Sequence, residues 1–274
     1  MRTITKKAVD YIEQRAGSKS RLAIVLGSGL GGLVDLVDDK TVIPYADIPG
    51  FPVSGVASHA GELVLGRIHG AEIVLMAGRI HYYEEGDPAA MLMPLEVLWE
   101  LGCRTLLLTN AAGSVHENVP PASASLITDH INFSGLNPLI GDHRPPQFID
   151  MGKAYDPELC DRVRQAAKIS GSELYEGVYV WYSGPSFETP AEINMVRSMG
   201  GDLVGMSTVP EVILGRKQGF RIGAVSLVTN YAAGMRDEML SHEHTMREAA
   251  RGENNMLKLF SVLIRELKAN PLDS

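Results

Sequence analysis

Cysteine is scarce in this chain: Cys103 and Cys160 are the only two among 274 residues. Two such residues, far apart, supply neither the spacing of a metal site nor a framework of bridges, so both are expected as buried, reduced thiols. Long apolar runs are missing as well. No stretch approaches the roughly 20 residues needed to span a bilayer, and the basic opening MRTITKKAVDYIEQRAG has no apolar run behind it. Both points favour a cytoplasmic protein that does not engage a membrane. Basic residues are in deficit, with Lys+Arg 25 against Asp+Glu 33 and a formal net charge of -8. The molecule as a whole therefore repels nucleic acid, and an anionic substrate would need a local positive pocket. Histidine, cysteine and carboxylates nowhere cluster at metal-ligand spacing, which argues for no bound metal. Blocks of like charge, internal repeats and Pro/Gly linkers are absent too, so residues 1–274 are read as one domain.

What is present is an alternation of short apolar, β-branched runs with helical patterns, which predicts an α/β fold. Strands are expected at 22–26, 63–69, 72–77, 105–109, 125–128, 178–182, 203–205 and 221–229. His69-Gly70 suits a hairpin turn, so the sheet should be mixed. Asp156-Pro157 reads as a helix N-cap with proline in the first turn, and Gly171 as that helix's stop. Thr189 to Glu192 and Thr208 to Glu211 both fit the capping box. A last helix spans 241–269, weakened near Gly252, with Met246, Leu257, Phe260 and Leu263 as core contacts. The irregular stretch 132–154, rich in Pro, Gly and His, is expected to be functional or interfacial.

Six segments could carry chemistry. LAIVLGSGLGG runs a strand into glycines that let backbone N–H groups approach an anion, with Ser28 adding a hydroxyl. Gly27, Gly29 and Gly32 also satisfy G-x-G-x-x-G, so a dinucleotide-dependent oxidoreductase is one alternative. It would need an acidic residue about 20 positions on, at the end of a second strand. Asp47 has the distance but lies among prolines. In GRIHYYE, Arg79, His81 and Tyr83 would face one site if the chain stays extended; alternatively Arg79 pairs with Glu84 at the surface. TNAAGS ends a strand in small residues with open N–H groups. Phe187-Glu188 and Met206-Ser207 each precede a helix start, where an anion or a carboxylate is favoured. Asn230 closes another apolar strand with an amide that both donates and accepts. Ser28, Arg79, Asn110, Glu188, Ser207 and Asn230 all follow closely on strands, and ligands in open α/β sheets gather at the strands' carboxyl ends. One site is a simpler account than six accidents.

Taken together and in order, GSGLGG, SHAGELVLG, GRIHYYE, TNAAGS, GPSFETPAE, GMSTVPEV and TNYAAG resemble the motif set of the trimeric purine nucleoside phosphorylases, over residues 21–242. The resemblance implies a single α/β domain with a twisted mixed sheet flanked by helices, assembled as a homotrimer. It implies a pentosyltransferase of purine salvage that splits inosine- or guanosine-type ribo- and deoxyribonucleosides with inorganic phosphate as co-substrate and no cofactor. Phosphate would be held by Ser28, His59, Arg79, His81, the Ala111 backbone and Ser207. The ribose would meet Tyr83, Met206 and His242, with His244 competing for that last place. The purine would be held by Phe187, Glu188 and Asn230, with Tyr179 and Val204 lining the pocket. Asn230, Glu188 and His81 would be catalytic, and Phe148 would reach a neighbouring subunit. The related methylthioadenosine phosphorylases read adenine instead; their usual acidic residue at the Asn230 position and their lack of Phe-Glu at 187 and 188 argue against that alternative.

Overall fold

In a computed structural model of the chain, residues 2–17, 20–55, 60–237 and 239–272 are described. A first helix, α1 (Thr3–Ala16), leads to β1 (Leu22–Val25), a 3₁₀ turn (Gly31–Leu36), β2 (Asp38–Pro44), β3 (Glu62–Ile68) and β4 (Ala71–Ala77). A single turn, α2 (Tyr82–Glu85), and α3 (Leu92–Glu100) precede β5 (Thr105–Ser114) and β6 (Ala124–Ile131). Then come α4 (Pro157–Ser170), β7 (Leu174–Trp181), α5 (Pro190–Ser198), β8 (Leu203–Gly205), α6 (Val209–Gln218), β9 (Arg221–Tyr231) and the long α7 (His242–Ala269).

Among the described residues the strands form one mixed sheet in the order β2-β3-β4-β1-β5-β8-β7-β6-β9, and β9 also bonds back to β5. All four residues of β1 are buried, with no alternation, as expected for a strand covered on both faces. One helical group is α4 against α7; the other is α3 between α1 and α6. The His69-Gly70 hairpin forms as expected: both residues have positive φ, 50° and 71°, and β3 and β4 pair antiparallel across it.

The topology creates a fork. β5 pairs with β1 through Thr105 to Leu108 and with β8 only at Gly113 and Ser114. Between those partners β1 ends and β8 has not begun. The stretch of β5 from Thr109 to Ala112 therefore borders an opening at the strands' carboxyl ends.

Local signals behaved as their chemistry dictates, with two corrections. Asp156 accepts from the Leu159 N–H at 2.9 Å and Gly171 ends α4 in the left-handed region. Thr189 and Glu192 close a complete capping box on α5. The box expected at Thr208 does not form. Thr208 makes no cap bond and has φ 71°, because Glu211 is drawn inward to Arg79 instead. Gly252 does not weaken α7: a Cβ there would lie 2.4 Å from the Leu227 side chain and 2.8 Å from the Ala122 carbonyl. Its absence lets the helix lie directly against β9. Of the expected α7 contacts, Phe260 and Leu263 are in the core, while Met246 and Leu257 are half-buried.

Candidate active site

The fork opens on a cavity of about 280 Å³ whose lining unites the chain's scattered motifs. Ser28, Arg79, Asn110, Glu188, Ser207 and Asn230 all reach it, as do His81, Tyr83, Phe187, Val204, Met206 and His242. His59 lies outside the described residues. Tyr179 does not line the cavity. It is fully buried behind it, where its hydroxyl accepts from the Ser207 N–H at 3.3 Å. Phe148 stands apart at 94% exposure. His242 lines the cavity, whereas His244 turns aside to meet Arg247 at 2.9 Å.

The glycine-rich loop follows β1 and does not open an α-helix; it runs through a 3₁₀ turn into the edge strand β2. A dinucleotide fold needs that helix, and Asp47, its candidate ribose acid, sits in another 3₁₀ turn. The glycines have a different use. A Cβ on Gly27 would lie 2.7 Å from Asn110 Cα, so only glycine lets the loop cross β5 at that height. The Gly27 N–H donates to Thr109 Oγ1 at 2.9 Å.

Arg79 forms the floor, and it is 1% exposed. It does not pair with Glu84. Nη1 donates to Glu211 Oε1 at 2.8 Å, and Nη2 donates to the carbonyls of Val25 and Thr109. One guanidinium thus ties β1, β5 and α6 together, with its charge answered by a carboxylate that is 2% exposed. Thr208 Oγ1 accepts from Asn110 Nδ2 at 2.8 Å and lies 3.1 Å from Ser207 Oγ. This holds Asn110 so that its Oδ1 is buried beside the cavity with no partner among the described residues.

The chain does not stay extended after Arg79. It turns into α2 at His81, yet His81 and Tyr83 still face the cavity, with rings stacked 4.8 Å apart. Glu84 Oε1 accepts from His81 Nδ1 at 3.0 Å and from its backbone N–H at 2.8 Å. Oε2 accepts from Ser54 Oγ and the Gly55 N–H, each at 2.9 Å. Against the opposing effect of burial, these donors hold the Glu84 carboxyl down at about 2, so it is ionised and the proton between the two groups sits on Nδ1.

Glu188, which also lines the cavity, is 7% exposed, and burial pushes its carboxyl above the usual range, countered by its own backbone N–H. No other donor reaches its oxygens among the described residues. Asn230 Oδ1 accepts from Thr229 Oγ1 at 3.1 Å and Nδ2 donates to the Tyr231 carbonyl at 3.0 Å. Gly113 makes room for that amide, since a Cβ there would lie 2.9 Å from Nδ2. Thr245 also lines the cavity and was not anticipated. Its place three residues after His242, on the same face of a helix, is the signal that could have found it.

A cavity at the carboxyl ends of the strands, lined by anion donors together with a buried carboxylate and an amide, defines an α/β enzyme site for a polar, partly anionic ligand pair. Known proteins make the class specific. The family model described as Phosphorylase superfamily matches residues 21–265. Purine nucleoside phosphorylase 1 of Geobacillus stearothermophilus is 41% identical over 98% of this chain and 99% of its own. Purine nucleoside phosphorylase of Schistosoma mansoni superposes with a TM-score of 0.91 in complex with inosine, at 35% identity, covering 98% of this chain and 97% of that one. Its complex with adenosine also superposes at 0.91, with 36% identity and 98% of both chains covered. The chain belongs to the purine nucleoside phosphorylases of the phosphorylase superfamily. As such it is a pentosyltransferase. No described helix is long and apolar enough to cross a membrane, and no group of three or more His, Cys, Asp or Glu among the described residues could hold a metal.

Proposed function

We propose that this enzyme cleaves 6-oxopurine nucleosides, inosine and guanosine and their deoxy forms, by phosphate attack on the anomeric carbon. The observation that carries this reading is Glu188: a buried carboxylate with no donor among the described residues but its own backbone N–H, facing the same cavity as the Asn230 amide. A 6-oxopurine offers N1–H to a carboxylate and O6 to an amide N–H. Adenine reverses both, leaving an acceptor against an acceptor and a donor against a donor.

Phosphate is assigned to Ser28, Arg79, His81, Ser207, the Ala111 backbone and His59. The ribose lies between it and the base, against Tyr83, Met206 and His242. Phe187 and Val204 flank the base. As the bond from the anomeric carbon to N9 breaks, its electron pair moves onto the purine and a phosphate oxygen bonds to the carbon. Asn230 donates where negative charge grows on the base, and the bound phosphate faces the ribosyl cation. No covalent enzyme intermediate and no cofactor are required. The working form is a homotrimer in the cytoplasm, with the loop 132–154 and Phe148 at the contact between subunits.

The test is hypoxanthine release from inosine with and without phosphate; equal rates refute the reading. Since a relative has been crystallised with adenosine, base choice is measured as turnover and not as occupancy. We expect kcat/KM for inosine to exceed that for adenosine by roughly 10⁴, because a mismatched base leaves buried polar groups unpaired. Comparable values would show that Glu188 and Asn230 do not read the base.

A further inference from the structure

The residues that α7 presents to the rest of the site form one stripe. His242 and Thr245, in its first turns, line the cavity. Ala249 comes next: a Cβ on Gly29 would lie 2.2 Å from its methyl carbon. Glu253 follows, and its Oε1 accepts the Gly32 N–H at 2.9 Å. His242 and Glu253 are eleven residues apart on α7, close to three full turns, so they share a face. The glycine-rich loop therefore lies along the same helix face that closes over the cavity. Gly32 is the second residue of the 3₁₀ turn Gly31–Leu36, at the end where backbone N–H groups lack intrahelical partners and a carboxylate is well placed to accept one. The fit is close, since a Cβ at position 32 would lie 2.7 Å from Glu253 Oε1 and would displace that carboxylate.

We propose that Glu253 is a positioning residue that locks the glycine-rich loop to α7, so that the anion at Ser28 and the nucleoside beneath His242 reinforce each other's binding. Glu253 does not line the cavity and touches no reacting atom. It acts through Gly32, fixing the loop's height relative to the helix. With the latch closed, ordering the loop around an anion also seats the first turns of α7. The second ligand then has less to order, which is positive coupling. The inference rests on the phosphorolysis reading for the identity of the two ligands.

The experiment compares the unmodified enzyme with Glu253→Ala and Glu253→Gln; the glutamine keeps an acceptor oxygen for Gly32 and loses the charge. Inosine affinity is measured by calorimetry with and without saturating sulfate, an unreactive stand-in for phosphate, alongside steady-state kinetics. Sulfate should tighten inosine binding by about fivefold or more in the unmodified enzyme. In Glu253→Ala that factor should fall towards 1 and the phosphate KM rise by about five- to tenfold, the worth of one hydrogen bond, with kcat changed far less. Glu253→Gln should retain most of both. Unchanged coupling and unchanged phosphate KM in Glu253→Ala overturn the proposal, and so does a glutamine variant as impaired as the alanine one. Amide exchange of the segment 27–36 is measured in parallel and should quicken in Glu253→Ala whether or not the enzyme cleaves inosine. An unmodified enzyme inactive towards inosine, with exchange still quickened by the alanine, would fail the functional reading and not the latch.

Discussion

Two cavities lie at opposite ends of β1, β5 and β9, and the larger is not the site. The one at the amino ends measures about 560 Å³, twice the 280 Å³ of the one at the carboxyl ends. Its walls are largely Leu22, Trp99, Ile264, Leu267 and Leu272. Its polar groups include several already answered by neighbours. Arg221 is held by Asp156 and Glu158, each at 2.8 Å, and Arg104 stacks on Trp99 while donating to two carbonyls. At the carboxyl ends, by contrast, Glu188 has only its own N–H and Asn110 Oδ1 has no partner among the described residues. Between these two cavities, hydrogen-bonding capacity left over by folding distinguishes the smaller one, and volume does not.

That contrast can be broken by substitution. The largest effect should come from Arg79→Ala. It leaves Glu211 buried without a counter-charge, and breaking such a pair costs about 3–5 kcal/mol, so chemical denaturation should shift strongly and phosphate affinity should fall with it. An unshifted denaturation midpoint would mean that Glu211 finds another partner. Asn230→Ala should lower kcat/KM for inosine by about 10²–10³ at little cost in stability, because the lost contact strengthens only as charge develops on the base. A change confined to KM would make it a binding group alone.

Next in size is a pH effect at Glu188, where stability and activity should run in opposite directions. Its folded pKa is raised chiefly by burial, so the ionised form is disfavoured in the native state. Stability of the free enzyme should be greatest below the ordinary glutamate range and decline as pH rises through that range to the folded pKa. Over the same interval kcat/KM for inosine should rise, since the ionised carboxyl is the stronger, charge-assisted acceptor for N1–H. Glu188→Gln should flatten both curves, and an acid limb that survives the substitution assigns it elsewhere. The smallest effect belongs to the amino end: Arg104→Ala should cost about 0.5–1 kcal/mol from the lost stacking on Trp99 and leave kcat/KM within roughly twofold. A tenfold loss of activity there would break the contrast.

Legibility in the sequence followed burial. The runs at β1 and at the start of β5 were plain because strands covered on both faces are apolar throughout. β2 went unread because DDKTVIP is an edge strand with charge at one end and proline at the other. α3 went unread because LMPLEVLWE is buried almost all round and shows no amphipathic period. α1 differs from α3, since its buried Thr5, Ala8, Val9 and Ile12 do mark one helical face. The site was legible as a set of strand ends. Which side chain meets which was not, as Arg79 demonstrates: the nearer acid, Glu84, serves His81, and the guanidinium takes Glu211 from 132 residues away. Tyr179 shows the same limit, since a residue behind a wall and one on it read alike in sequence.

The return of β9 to β5 has a consequence for how copies of this chain avoid one another. Strands β5, β8, β7, β6 and β9 close on themselves, so among the described residues each of them has a strand neighbour on both sides. Of the two margins an open sheet would present, only β2 is left among the described residues. That strand carries Asp38, Asp39 and Lys40 and stops at Pro44, a combination of charge and a missing N–H that discourages another strand from docking edge to edge. Templated aggregation through strand addition is thus blocked by topology on one side and by composition on the other.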